Sequence, residues 1–217
     1  MPRNLSADAI ADFQDRLCDA AERMFAEHGA EAVTIRQLAA AVGVSPMTPY
    51  RYFKDKEAIL AAVRARAFDR HAEALERAYA EAEPQAKASA LGEAYIRFAL
   101  ENPEAYKLMF DITQPNEAEF PELVRAGERS RRMMTLHLDN EIAAGRVVGD
   151  SRLIAHMYWA ALHGPLMLQF SHKLPSDIDA RMLIGALLAT LDKGLLAGGR
   201  PRVPAEDPAD RGLSQAS

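Results

Sequence analysis

The stretch TIRQLAAAVGVSPMTPYRYFKDK, Thr34–Lys56, gathers side chains that can hold a nucleic-acid backbone and read base edges. Met47, Thr48, Tyr50, Arg51 and Tyr52 offer hydroxyls, a guanidinium and apolar edges over less than two helical turns, and Lys54 and Lys56 follow at once. Short and planar polar groups can reach base edges in a major groove, while Tyr, Thr and Lys hold phosphates. On this reading Arg36, Met47, Thr48 and Arg51 face the groove. Thr34, Tyr50, Tyr52 and Lys56 face phosphates, and Pro46 opens the helix that carries them. An ordinary helical hairpin with solvated polar residues is the plainer alternative. The coincidence of turn chemistry with this polar payload argues against it.

Two short helices and a tight turn must position these groups. Thr34-Ile35-Arg36-Gln37 has the capping-box spacing, in which Thr34 takes the amide three residues on and Gln37 reaches back. Ile35, Leu38, Ala39 and Val42 then share one helical face. Gly43 is placed to end that helix in a left-handed conformation. Ser45 caps the next helix, with Pro46 at its first position, where a missing N–H costs nothing. The result is a helix-turn-helix unit.

At this point the chain resembles a family. HGAEAVTIRQLAAAVGVSPMTPYRYFKDKEAIL is similar to the N-terminal DNA-binding signature of TetR-type transcriptional regulators, over about a quarter of the chain counting the flanking helices. The matching features are Gly29, Thr34, Arg36, Leu38-Ala39, Gly43-Val44-Ser45, Thr48, Tyr50, Tyr52-Phe53 and Lys56-Glu57. Pro49 stands where the family usually has Leu, and Met47 where a small residue is common. A proline so early removes an intrahelical bond, which makes Thr48 an alternative cap.

Composition agrees with an all-α protein. The chain has 217 residues, of which 49% are apolar, enough for a core in one or two domains. Ala, Leu, Glu and Arg dominate and β-branched runs are absent. No apolar run approaches the length of a bilayer span, and Met1-Pro2-Arg3-Asn4 opens no signal peptide. The sole cysteine, Cys18, lies among apolar helix residues, so a disulfide framework is excluded and the cytoplasm is the expected compartment. The formal net charge is −5, unfavourable for a DNA binder taken as a whole. The window 34–56, however, holds Arg36, Arg51, Lys54 and Lys56 against Asp55 alone. Positive charge is gathered where phosphate contact is expected.

Taken in order, residues 1–5 read as a disordered arm, with Arg3 a loose phosphate contact at most. A helix from Ser6 to His28 carries Phe13, Leu17, Ala21 and Phe25 on one stripe, and Gly29 ends it. Asp55 caps a connecting helix that runs to Glu83, before Pro84. Helices follow over 86–101, from Asn102-Pro103 onward, from Pro121 to Ala144, over 151–172 and over 177–197. Thr113–Pro121 reads as a loop, and 198–217 as a disordered tail. The expected division is a helix-turn-helix DNA-binding domain over 1–55 and a helical ligand-binding and dimerisation domain over 56–197, of which 56–83 is the connecting helix. The penultimate helix is apolar nearly all round, so it faces its own domain on one side and a partner chain on the other. Two such helices from each of two subunits make a four-helix interface.

The second region resembles a family too. FALENPEAYKLMFD together with YWAALHG is similar to the ligand-binding domain of one subgroup of TetR-type regulators, marked here by Trp159, His163 and Gly164. The resemblance implies a dimeric, ligand-responsive repressor. A physical argument supports a ligand site here: Pro165 inside the apolar helix should kink it and free the carbonyl of Ala161. Trp159, His163, Met167 and Phe170 stand beside it, and Tyr106, Met109 and Phe110 form the opposite wall of an apolar pocket. Plain core packing is the competing assignment for these residues.

Signals of catalysis are missing: the sequence has no P-loop, no GxGxxG, no HExxH and no paired-cysteine spacing. His156 and His163 lie about two turns apart, too far for i, i+4 chelation, so neither metal nor cofactor is expected. The expected partners are double-stranded operator DNA, a small-molecule effector and a second copy of the chain, with no membrane. The function expected is a ligand-responsive transcriptional regulator acting as a repressor. A regulator or activator without an effector is the nearest alternative, separated by ligand-dependent release of DNA. A helical small-molecule enzyme carrying a vestigial DNA unit is the alternative from another class, separated by turnover without sequence-preferring DNA binding.

Overall fold

The computed structural model describes residues 7–110 and 117–196. Among them the long elements are helices: α1 (Ala7–His28), α2 (Ile35–Ala41), α3 (Lys56–Glu81), α4 (Lys87–Glu101), α5 (Pro103–Met109), α6 (Pro121–Ala143), α7 (Ser151–Phe170) and α8 (Ala180–Leu196). The expected N-terminal arm with Arg3, the segment 113–116 of the expected loop and the expected tail lie outside the described residues.

The N-terminal elements follow from local chemistry. Phe13, Leu17, Ala21 and Phe25 of α1 are buried, and Gly29, at φ +79°, donates to the Phe25 carbonyl and ends the helix. The capping box of α2 is formed: Gln37 N donates to Thr34 Oγ1 at 3.3 Å, and Thr34 N donates to Gln37 Oε1 at 2.8 Å. At its other end Gly43 sits at φ +72°, with Gly43 N bonded to Ala40 O and Val44 N to Ala39 O. These are the paired bonds of a Schellman stop, which only a residue at home at positive φ closes without strain.

The next segment departs from expectation. No α-helix starts at Pro46; residues 46–48 turn, and a single 3-10 turn spans Pro49–Arg51. Pro49 is the cause. In a helix begun at Pro46 its nitrogen would have to donate to Ser45 O, which proline cannot do, and its ring would crowd that carbonyl. Thr48 N takes Ser45 O instead, at 2.9 Å, and Tyr52 N and Phe53 N both close on Pro49 O. Ser45 Oγ is left with a long contact to Met47 N, 3.4 Å.

α3 is capped by Asp55, which accepts from Ala58 N at 2.8 Å. It is 26 residues long, roughly 39 Å at 1.5 Å per residue, and it enters two separate cores. Ile59, Leu60 and Val63 join α1 and α2 in the first. Phe68 and Leu75 join α4 to α8 in the second. Charged pairs flank it on both sides. Arg66 and Arg70 reach Asp19 and Glu22 of α1, and Arg129 of α6 reaches Asp69 and Glu76. Arg129 thus belongs to a salt-bridged face.

Asn102 stands at the N-cap of α5, with Pro103 first in the helix, but its side chain makes no cap bond; its amide donates backwards to Phe98 O at 3.0 Å and ties off α4. Asp150 caps α7, and the helix continues across the buried Pro165. α8 buries only Ala180 and Ile184 among its described side chains, leaving Met182 and Leu187 exposed, while α7 exposes Leu153 and Leu168. None of the described helices is long and apolar enough to cross a membrane.

One buried polar pair gives the fold a pH dependence. His71 of α3, 1% exposed, holds Ser130 Oγ of α6 through Nδ1 at 2.7 Å, and its Nε2 has no partner. Burial lowers its pKa from an ordinary 6.5 to about 4. Between those values the unfolded chain binds a proton that the native state refuses, so stability falls as pH drops through that window. The expected loss is about 3 kcal/mol, complete near pH 4. Urea unfolding of wild type and His71→Leu across this range should show the variant losing less stability on acidification than the wild type.

Candidate nucleic-acid interface and effector site

The tight turn after Gly43 presents an outward row. Met47 is 69% and Tyr50 51% exposed, and Thr34, Arg36, Pro46 and Arg51 are exposed as well. Thr48 is half-buried. The Thr34 hydroxyl is already occupied by its cap, accepting from Gln37 N and donating to Gln37 Oε1 at 2.7 Å. Tyr52 is also half-buried; its ring lies 4.8 Å from that of Phe13, so its apolar body anchors the turn to α1. The Arg51 guanidinium lies 6.0 Å from the Tyr52 ring, a contact that limits its freedom.

Lys56 is not the free cation expected. Its ammonium donates to Ala30 O at 2.8 Å and Glu31 O at 3.2 Å, and the side chain is half-buried. The loop after Gly29 leaves these carbonyls without helical partners, and Lys56 satisfies them across the head. Lys54 is the freer of the two lysines: its side chain is 90% exposed, with a 4.0 Å contact to Asp55. From sequence alone both lysines belong to the basic patch, and only Lys56 is expected at a phosphate. The signal that separates the two lysines is that Lys56 directly follows the helix cap, facing back over the α1–α2 loop.

The second candidate site lies in the larger core, where the structure brings all seven expected residues together. Tyr106 is fully buried, its hydroxyl 2.6 Å from Tyr95 Oη and 2.7 Å from His163 Nδ1. Trp159 Nε1–H donates to Tyr95 Oη at 3.0 Å. The Phe110 ring lies 4.6 Å from His163 and 5.8 Å from Trp159, and Phe170 lies 5.8 Å from Tyr106. Met109 is buried, while Phe110, Trp159, His163, Met167 and Phe170 are half-buried. Burial lowers the His163 pKa and raises those of both tyrosines, so the imidazole is neutral and the phenols keep their protons. Tyr95 falls on the apolar stripe of α4 and is not among the expected site residues. A tyrosine buried on such a stripe needs a partner for its hydroxyl, and that requirement was the missed signal.

The two sites share α5. Leu108 belongs to the core of the N-terminal helices, while its neighbours Tyr106 and Met109 belong to the larger one. Beside them the buried Arg64 of α3 donates to Met109 O at 3.0 Å and pairs with Glu117. A half-open pocket of about 260 Å³ lies nearby, lined by Tyr52, Phe53, Ala61, Phe120 and Leu123 among others. Among the described residues no cluster of three or more His, Cys, Asp or Glu could hold a metal.

Comparison with known proteins bears on both regions. Residues 17–63 match the family described as bacterial regulatory proteins, tetR family, and residues 88–191 match the tetracyclin repressor-like C-terminal domain. The latter match does not single out the Trp-His-Gly subgroup. An HTH-type transcriptional repressor of Mycobacterium tuberculosis is 36% identical over 63 residues, which cover 29% of this chain and 33% of that protein. The match therefore spans a third of that relative's length. Among solved structures, a protein of unknown function from a Rhodococcus species is similar at TM-score 0.74 and 30% identity, over 90% of this chain and 99% of that one. The fatty acid degradation regulator FadR from Bacillus halodurans gives 0.68 at 19%, over 82% and 93%. The TetR family regulator PfmR from Thermus thermophilus gives 0.60 at 24%, over 87% and 100%. These last two speak to the fold alone.

The two lysines should separate by stability. Lys56→Met strands two loop carbonyls and should cost about 1–2 kcal/mol, whereas Lys54→Met should stay within about 0.5 kcal/mol of wild type in urea unfolding.

Proposed function

The chain belongs to the TetR family of bacterial regulatory proteins, and on that premise we propose that it is a dimeric, ligand-responsive repressor. It is a transcriptional regulator, not an enzyme. In the proposed mechanism a head, residues 1–55, meets DNA, and a body, 56–197, binds an effector and a second copy of the chain, with 56–83 as the connection. Two heads related by a two-fold axis enter successive major grooves of a palindromic operator, one helical turn apart. The reading places the protein in the cytoplasm, where its operator is.

The observation that carries this reading is the outward presentation of Met47, Tyr50 and Arg51 on a turn closed by backbone bonds at Thr48, Tyr52 and Phe53. A turn without slack holds its side chains ready for a groove, so little ordering entropy remains to oppose binding. Arg36, Met47, Thr48 and Arg51 are assigned to base edges. Thr34, Pro46, Tyr50, Tyr52 and Lys54 are assigned to the backbone, and Lys56 braces the head from behind. The exposed Leu153, Leu168, Met182 and Leu187 of α7 and α8 favour a partner chain on that face.

The effector is a small apolar molecule taken at the Tyr106–His163 cluster. Binding there must disturb Tyr106, and α5 carries the disturbance to the head through Leu108. The expected coupling is about 1–3 kcal/mol, a loss of DNA affinity of roughly 5- to 150-fold. A regulator without effector control is the second reading, and the half-buried aromatic cluster speaks against it.

The test starts with DNA upstream of the protein's own gene. Specific binding at physiological salt and its loss on addition of a compound that quenches Trp159 are expected. Binding that ignores every such compound would leave the second reading. Tyr50→Ala and Lys54→Ala should weaken all sequences alike and lower the salt slope by about one per lost contact. Arg51→Ala should cost about 1–3 kcal/mol against the operator and much less against random DNA.

A further inference from the structure

The hydrogen bonds in the larger core have a direction, and that direction selects a ligand. An indole N–H only donates, so Tyr95 Oη accepts from Trp159. Tyr95 is 2% exposed, and its own proton has one acceptor within reach, Tyr106 Oη. Tyr106 must then send its proton on to His163 Nδ1. The opposite order, with His163 Nδ1–H donating to Tyr106, would leave one of the two phenol protons sealed in the core with no acceptor. The relay therefore runs Trp159 to Tyr95 to Tyr106 to His163. It fixes the imidazole as the tautomer protonated at Nε2.

That Nε2–H has no partner among the described residues, and it belongs to a half-buried side chain. Every other polar hydrogen of the relay is spent. We infer that the effector is a neutral molecule with an apolar body and one hydrogen-bond acceptor, a ketone, ester or amide oxygen, received by His163 Nε2–H. This rests on the proposed effector site and names its chemistry.

Charge excludes the two obvious rivals. The rings of Tyr106, Phe110 and Trp159 surround His163, and none is cationic. The buried Arg64 is held by Met109 O and Glu117, and Lys107, whose ammonium lies 5.8 Å from the Phe170 ring, is paired with Glu104 at 3.0 Å. Burial keeps His163 itself neutral. A carboxylate would lose its hydration and gain no unpaired counter-charge among the described residues. An ammonium would set donor against donor.

Two measurements test this. The first needs no ligand: ¹⁵N shifts of the imidazole in the full-length protein at neutral pH should show an unprotonated Nδ1 and a protonated Nε2 at His163, assigned by comparison with His163→Phe. A protonated Nδ1 overturns the proposal. The second uses Trp159, the only tryptophan, as reporter of 2-nonanone, nonanoate and nonylammonium. The ketone should quench saturably and bind about tenfold or more tighter than either ion. His163→Phe should weaken the ketone about tenfold while retaining the fold by circular dichroism. Tighter binding of either ion refutes the acceptor chemistry and leaves the effector site standing. Absence of saturable quenching by all three up to about 1 mM refutes the site together with its chemistry.

Discussion

α3 must be buried in two cores at once, and the architecture follows from that constraint. Its first turns close the small core under the turn that follows Gly43, and its later turns form the floor of the larger core. A helix so placed cannot tilt without opening one core or the other. The ion pairs add direction to this. Arg66 and Arg70 bind α1 to one side, and Asp69 and Glu76 bind α6 through Arg129 on the other. These pairs are partly exposed, so each contributes little stability alone. Their value lies in fixing the rotation of α3 about its own axis.

The same constraint explains where polar groups are tolerated inside. Arg64, His71 and Ser130 are buried at the contact of α3 with its neighbours, and Tyr95 and Tyr106 lie across from them. An apolar core slides easily between packings; a core stitched by directional bonds has few alternatives of similar energy. Tyr106 is the junction of this network, bonded to α4 through Tyr95 and to α7 through His163. Two residues on, Leu108 packs under the head. Seven residues of α5 therefore touch both ends of the proposed signal.

Much of this was legible in the sequence, and the failures have common causes. Thr34, Gln37 and Gly43 announced α2 because capping and left-handed stops are local, decided within a few residues. The aromatic cluster was legible because helical spacing put its members on facing stripes. Pro49 was noticed, but whether it shortens or abolishes a helix depends on which carbonyl it meets, and that depends on where the helix starts. Lys56 was less legible because a lysine there can meet a phosphate or a backbone carbonyl, and only packing chose between them. The difference between Lys54 and Lys56 is long-range in the same sense: the decisive carbonyls belong to Ala30 and Glu31. Tyr95 went unnoticed because a stripe shows where a ring is buried and not what its hydroxyl meets.

The central claim is that the aromatic cluster and the DNA-facing turn are two ends of one equilibrium. Linkage makes this measurable, because the factor by which effector weakens DNA must equal the factor by which DNA weakens effector. The direct measurement is the affinity of a DNA-releasing compound for the protein, followed by Trp159 fluorescence with and without saturating operator. The account predicts equal factors in the two directions. An effector affinity unmoved by operator would contradict it.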